Sequence, residues 1–219
     1  KFSVELSTRP KKSIGTDEQW TKANANLIAA LKKKEIQYKE NPGEGAFYGP
    51  KIDVHIEDAH GRRWQLGTTQ LDFAMPERLS VFYTDADGKK RHPVIIHRAI
   101  LGSVERFIAI LLEHYAGELP EWLAPIQARV IPVSEKYLPY VRTITSELRK
   151  NYVRTELDES QETLAKKIRQ AAINKIPYIL VAGQEEEREK MISVRSRKGD
   201  EGKVTIASFV ERITKQTNV

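Results

Sequence analysis

The sequence contains no cysteine. That excludes disulfide cross-links and thiolate chemistry, and it leaves histidine, carboxylate or groups from elsewhere as the only ligands for a metal. No apolar run approaches the ~20 residues that span a bilayer, so a transmembrane helix is excluded and no membrane partner is expected. The opening residues KFSVELSTRP have neither the apolar core of a secretion signal nor the Arg- and Ser-rich pattern of an organellar leader. They read as a strand cut out of something longer. Lack of cysteine fits a reducing compartment, and the expected location is cytoplasmic. Internal repeats and low-complexity linkers are also missing.

What is present is an ordinary globular composition: 219 residues, 40% hydrophobic and 30% charged. The length exceeds the ~100 to 200 residues usual for one domain, so two are expected. Residues 1–125 carry 18 Lys and Arg against 17 Asp and Glu, whereas residues 126–219 carry 18 against 13. The basic excess therefore sits in the second part, where it favours a polyanionic partner by releasing phosphate counterions.

Periodicity places the elements. Trp20, Ala23, Leu27 and Leu31 recur at helical spacing, with Thr16 as N-cap and Gln19 as its capping-box partner. Ile52, Val54 and Ile56 then alternate with polar residues, and Trp64–Phe73 is a second extended stretch. Leu79–Thr84 is expected to meet Val94–His97 across the turn Asp85-Ala86-Asp87-Gly88. From Ser103 the pattern Val104, Phe107, Ile108, Leu111, Leu112, Tyr115 predicts an apolar helix buried against the sheet, ended by Gly117 and Pro120. Periodicity breaks at Pro120–Pro125, which sets the expected boundary at 125/126. Beyond it, strands at 128–133, 152–157, 177–183, 191–197 and 203–206 alternate with helices at 135–150, 161–174 and from Ala207. The predicted fold class is α/β in the broad α+β sense: an antiparallel sheet with helices, then a mixed-sheet α/β domain.

Several residues stand out chemically. The loop NPGEGAFYGPK packs glycines and prolines around Tyr48 and Lys51, and reads either as a backbone able to approach a ligand or as a turn with a surface lysine. Gln65 and Gln70, five apart, would face opposite sides of a regular strand unless Gly67 marks a bulge. His97 ends the run Val94–Ile96 and, taken alone, reads as a hydrogen-bonded structural histidine or as one metal ligand. No second histidine stands at ligand spacing. Arg106 falls in a helix's first turn, where a cation opposes the macrodipole and calls for an anionic or other partner.

Read together, NPGEGAFYGPKID, WQLGTTQLDF, IHRAILGSVERF and WLAP, in this order and spacing, resemble the threonyl-tRNA synthetases over essentially the whole chain. The resemblance implies the C-terminal part of a class II catalytic domain in residues 1–125 and an anticodon-binding domain in 126–219. GSVER matches the third class II motif, which gives Arg106 the role of clamping the ATP γ-phosphate with adenine stacked near its guanidinium. Lys51 matches a lysine near the reacting phosphate and carboxylate, and Gln65 an ATP-side position. Tyr48, Gln70 and Ser103 match residues around threonine or its adenylate, and His97 one zinc ligand. In the second domain Arg169, Glu186 and Arg195 match anticodon contacts; Gln161 departs from an asparagine found in some relatives.

The implied cofactors are one Zn²⁺ per intact site and ATP with Mg²⁺; the implied partners are tRNA(Thr), threonine and ATP, in a homodimer when intact. A metal suits the task because an apolar pocket separates near-isosteres such as threonine and valine by only about a hundredfold, while a site that must bond the hydroxyl rejects the analogue by ~10⁴ to 10⁵. The family's first two motifs, its other two zinc ligands and its editing domain have no counterpart in these residues. The fragment alone is therefore expected to be inactive. The alternative from another class is a non-catalytic tRNA-binding or accessory protein on the same scaffold.

Overall fold

The structure is a computed structural model that describes residues 1–217. It divides into two compact units, Lys1–His114 and Tyr115–Val219, the first of which contains β1 (Phe2–Ser7), α1 (Asp17–Lys33), β2 (Lys39–Asn41), β3 (Lys51–Glu57), β4 (Arg63–Asp72), α2 (Met75–Arg78), β5 (Tyr83–Thr84), β6 (Lys90–Arg91), β7 (Ile95–Ala99) and α3 (Val104–His114). Five of these strands form a sheet in the order β2-β1-β3-β4-β7, antiparallel apart from the β1–β2 pair.

α1 starts as its sequence dictates. The Thr16 hydroxyl accepts the Gln19 backbone N–H while the Gln19 side chain accepts the Thr16 N–H, so two orphan donors are satisfied at once. Its buried stripe of Leu27 and Leu31 packs on Val4, Leu6, Ile52 and Val54, the apolar face of the sheet. Burying each such aliphatic side chain stabilises by about 1.5–3 kcal/mol.

Two expectations for this unit are corrected. The hairpin across Asp85–Gly88 pairs only β5 with β6, and the strand holding His97 pairs with β4 instead. Leu79 and Val81 are taken up in closing α2, where their N–H groups bond Met75 and Pro76 carbonyls. α3 is only partly buried: Ile110 lies within the core, but Val104, Ile108 and Leu112, at successive helical turns, are 57%, 48% and 44% exposed. The helix is apolar around more of its circumference than the neighbouring described residues cover. β7 is likewise an edge strand with Ile96 exposed.

The second unit contains β8 (Ala128–Pro132), α4 (Leu138–Lys150), β9 (Thr155–Leu157), α5 (Leu164–Ile173), β10 (Tyr178–Ala182), α6 (Gln184–Glu189), β11 (Met191–Ser196), β12 (Gly199–Thr205) and α7 (Ile206–Thr217). Its sheet runs β12-β11-β10-β8-β9, with β9, β8 and β10 parallel and β11 and β12 antiparallel, the mixed sheet expected. Val141, Ile144 and Leu148 of α4 and Phe209 and Ile213 of α7 bury one face against Val130, Leu180 and Val194. α5 covers part of the other through Ala171, Ile168 and Leu164 against Ile131, Ile179 and Val181. Ahead of β8, the Pro120–Pro125 segment is fastened to this unit, since Arg154 donates to the Trp122 and Ala124 carbonyls.

In the first unit the loop before β3 lies directly on the chain's own backbone. A Cβ at Gly49 would stand 1.6 Å from the Leu71 carbonyl oxygen, and one at Gly45 2.5 Å from that of Thr8. Leu71 belongs to β4 and cannot retreat without disturbing the sheet. Gly49→Ala is expected to destabilise the first unit by roughly 1–3 kcal/mol, read as a lowered urea midpoint; an unchanged midpoint would show that the loop sits elsewhere in solution.

Candidate functional site

Strand register decides which side chains of the first sheet share a face. Lys51, Asp53 and His55 alternate with Ile52, Val54 and Ile56 along β3, and the pairings Ser7↔Lys51, Lys51↔Gln70 and Gln70↔His97 carry the polar set across four strands. Gln65 joins that set through a register shift between Val54 and His55, where β4 holds an extra residue and Gln65 comes opposite His55. The spacing of five is thereby overruled, and both glutamines stand on the face opposite α1. Gly67 belongs to the same bulge: a Cβ there would meet Val54 and the Ile100 carbonyl oxygen at 3.3 Å.

Two adjoining networks occupy this face. In one, Lys51 Nζ pairs with Asp53 Oδ2 at 2.7 Å, while Asp53 also accepts from Gln65 Nε2 at 2.6 Å and from the Ser7 hydroxyl at 3.2 Å. Asp53 is buried, so its charge is held by these donors rather than by water. Lys51 is mostly enclosed, which replaces the surface lysine of the simpler reading. In the other, the Tyr48 hydroxyl donates to Gln70 Oε1, and Gln70 Nε2 donates to Thr68 at 3.2 Å. The Tyr48 ring lies 5.5 Å from that of His97, whose Nε2 is 3.0 Å from Oδ2 of buried Asp72. Burial, with the nearby Asp72 charge, raises the Tyr48 pKa and keeps its proton on.

Asp72 is anchored in turn, its other oxygen accepting the Ala74 and Met75 backbone N–H groups. Five of the residues singled out in this unit (Tyr48, Lys51, Gln65, Gln70 and His97) are therefore brought together. Asp53 and Asp72 complete the site but were not singled out from sequence. The alternation Lys51-Ile52-Asp53-Val54-His55 carried the signal for Asp53.

The other two lie at the start of α3. Ser103 caps that helix, its hydroxyl 3.4 Å from the Arg106 N–H and donating to Glu105 at 2.7 Å. Arg106 is exposed and reaches back to β4, donating to the Gln65 carbonyl at 3.2 Å with its guanidinium 5.4 Å from the Trp64 ring centre.

In the second unit Arg195 lies opposite Ile179 and Ser193 opposite Val181, so both stand on the side of the sheet that α5 partly covers. Arg195 is half exposed, with its Nε 3.5 Å from Asp200; Arg169 is exposed on α5 itself. Glu186 behaves differently. It closes the start of α6 by accepting the Gly183 N–H at 2.9 Å, accepts the Ser193 hydroxyl at 2.8 Å, and lies 3.9 Å from Lys203. Burial alone would raise its pKa, but these bonds outweigh it and hold the carboxyl below its ordinary value.

The family model for the tRNA synthetase class II core domain (G, H, P, S and T) matches residues 2–115, and that for the anticodon binding domain matches residues 127–216. The chain belongs to the class II tRNA synthetase core family and carries an anticodon-binding domain behind the core. Within that family it is similar to threonine–tRNA ligases: it is 52% identical over 216 residues to that of Caldanaerobacter subterraneus, covering 98% of this chain and 34% of the relative. The ligase of Acetivibrio thermocellus is also 52% identical, over 97% of this chain and 34% of its own length. A crystal structure described as the RNA binding domain of threonyl-tRNA synthetase from Cryptosporidium parvum superposes with a TM-score of 0.92 at 43% identity, covering 99% of this chain and 55% of that one. The chain spans about a third of the length of the curated relatives it matches.

Because the folded-state pKa of Glu186 is depressed, its bonds stabilise above the unfolded value of about 4.3 and are lost as pH falls through the folded one. Glu186→Gln is expected to lower stability by about 1–2 kcal/mol at pH 7, with the difference shrinking below about pH 4. Urea titrations at both pH values check this, and a pH-independent difference would mean that the carboxylate is not bonded as described.

Proposed function

We propose that this chain is the C-terminal part of an ATP-dependent threonine–tRNA ligase, with residues 1–125 serving activation and residues 126–219 anticodon recognition. The single observation that carries the reading is the assembly of Tyr48, Lys51, Gln65, Gln70 and His97 on one polar face of an antiparallel sheet in a class II core. In the reaction a threonine carboxylate oxygen attacks the α-phosphorus of ATP, the bond to the β-phosphate breaks and pyrophosphate leaves. A ribose hydroxyl at the tRNA 3′ end then attacks the acyl carbon and AMP departs. Catalysis of this kind rests on positioning and on stabilising phosphoryl charge.

Lys51, aimed by Asp53, supplies a cation at the reacting phosphate and carboxylate, Gln65 contacts ATP, and Arg106 clamps the γ-phosphate, with Mg²⁺ accompanying the nucleotide. Tyr48, Gln70 and Ser103 surround the threonyl group. Zinc fits as a shared ion: among the described residues no group of three or more His, Asp or Glu stands close enough to hold a metal. His97 would be one donor, oriented by Asp72 as ligating histidines commonly are by a carboxylate. The ion, when bound, supplies recognition of the amino and hydroxyl groups of threonine.

The uncovered edge of β7 and the exposed stripe of α3 support a site completed by further polypeptide. On this reading the intact enzyme would work in the cytoplasm as a homodimer. Anticodon reading falls to Arg195 and Arg169, which offer guanidinium donors to unstacked bases, with Glu186 adding acceptor capacity beyond the two bonds it already holds.

In the full-length protein His97→Ala is expected to abolish both bound zinc and threonine-dependent ATP–pyrophosphate exchange, while the 219 residues alone give no exchange. Retained zinc stoichiometry would sink the His97 assignment, and exchange by the fragment would refute the shared site. Arg195→Ala should weaken binding of a threonine-tRNA anticodon stem-loop about tenfold, corresponding to one lost base contact of about 1–3 kcal/mol. Equal affinity for a stem-loop with another anticodon would reduce this face to a generic basic surface.

A further inference from the structure

Between β1 and α1, Ile14 is held through both of its backbone groups. Its N–H donates to the Phe47 carbonyl at 2.9 Å, and its own carbonyl accepts the indole N–H of buried Trp20 at 2.8 Å. The residues before and after it are gripped by one arginine. Arg9 Nε donates to the Ser13 hydroxyl at 2.8 Å and a terminal N–H donates to the Gly15 carbonyl at 2.9 Å, with the guanidinium carbon 5.5 Å from the centre of the Trp20 ring. The planar fork of arginine makes such bonds at fixed angles, which the point charge of a lysine does not. Arg9 also pairs with Asp17, but that carboxylate is fully exposed and a surface pair of this kind contributes little. The bracket around Ile14 is therefore the larger part of what the arginine does.

The carbonyl that Ile14 bonds belongs to the peptide group from which Tyr48 departs. One residue before Arg9, the Thr8 carbonyl accepts the Gly45 N–H at 2.7 Å, so the loop carrying Tyr48 is fastened at two points to the segment that Arg9 closes. Phe47 is half exposed, and apolar burial does little to fix this end of the loop. From there the Tyr48 hydroxyl donates to Gln70 and its ring lies 5.5 Å from that of His97. We propose that Arg9 is a positioning residue for Tyr48: by bracketing Ile14 it presents the N–H that fixes the Phe47–Tyr48 peptide, and with it the place of the phenol beside Gln70 and His97. The inference rests on the functional reading above, in which Tyr48 lies against the threonyl group. Arg9 touches no substrate in it and acts entirely through backbone.

Arg9→Lys keeps the charge beside Asp17 and removes the bracket. In the 219-residue chain the Ile14 amide is expected to exchange slowly with solvent, and about tenfold faster in Arg9→Lys while the amides of β1 are unchanged. The nuclear Overhauser contact between the Tyr48 ring and the Gln70 side-chain amide should weaken in the same variant. An Ile14 amide equally protected in both chains, or a Tyr48–Gln70 contact at full strength in Arg9→Lys, overturns the proposal. In the full-length protein Arg9→Lys is expected to raise KM for threonine about tenfold in ATP–pyrophosphate exchange, with kcat and KM for ATP within about twofold. Ser13→Ala, which removes one arm of the bracket, should raise it by less. A lowered Tm with KM for threonine unchanged, or an equal rise in KM for ATP, reduces Arg9 to a stabilising residue and overturns the positioning role. Absence of threonine-dependent exchange in the unsubstituted protein would overturn the functional reading, while the Ile14 amide and the Tyr48 contact decide the positioning by themselves.

Discussion

Everything distinctive about the first unit depends on one extra residue in β4. Without the register shift opposite Val54 and His55, Gln65 would point at α1 and leave an unpaired amide in the apolar layer, at a desolvation cost of a few kcal/mol. With it, the amide reaches Asp53, Asp53 is satisfied by three donors, and Lys51 has a fixed counterion. A buried carboxylate with only one of these partners would be costly. The network is stable because it is complete.

The same completeness organises the Tyr48–Gln70 and His97–Asp72 pairs. The candidate side chains are held by buried carboxylates: Asp53 behind Lys51 and Asp72 behind His97. Preorganisation of this kind lowers the ordering cost when substrate arrives, which is where a site built for charge stabilisation gains most. In the second unit Ser193 and Lys203 hold the Glu186 carboxylate in the same way.

Much of this was legible from sequence because the signals were local. The Thr16 and Gln19 capping box, the period-two alternation in β3 and the mixed sheet of the second unit all follow from spacing alone. The hairpin was misread because Leu79–Thr84 and Val94–His97 are both apolar and flank a good turn, yet closing α2 uses Leu79 and Val81, and β4 offers Val94–His97 a longer partner. Gln65 could be assigned a face only from the register of β3 against β4, which no single strand encodes. The ordered motifs made the family recognisable well before geometry did, because they join residues from four separate elements.

The edge of β7 carries a consequence for handling the chain. Its outer N–H and C=O groups are unpaired within the sheet and Ile96 on it is exposed, a combination that can template the addition of a foreign strand. Arg98 is the one charge on the strand to oppose stacking of like copies. Concentrated alone, the 219 residues are set to self-associate through this edge, and the colloidal behaviour of the fragment reports on how well the edge is paired.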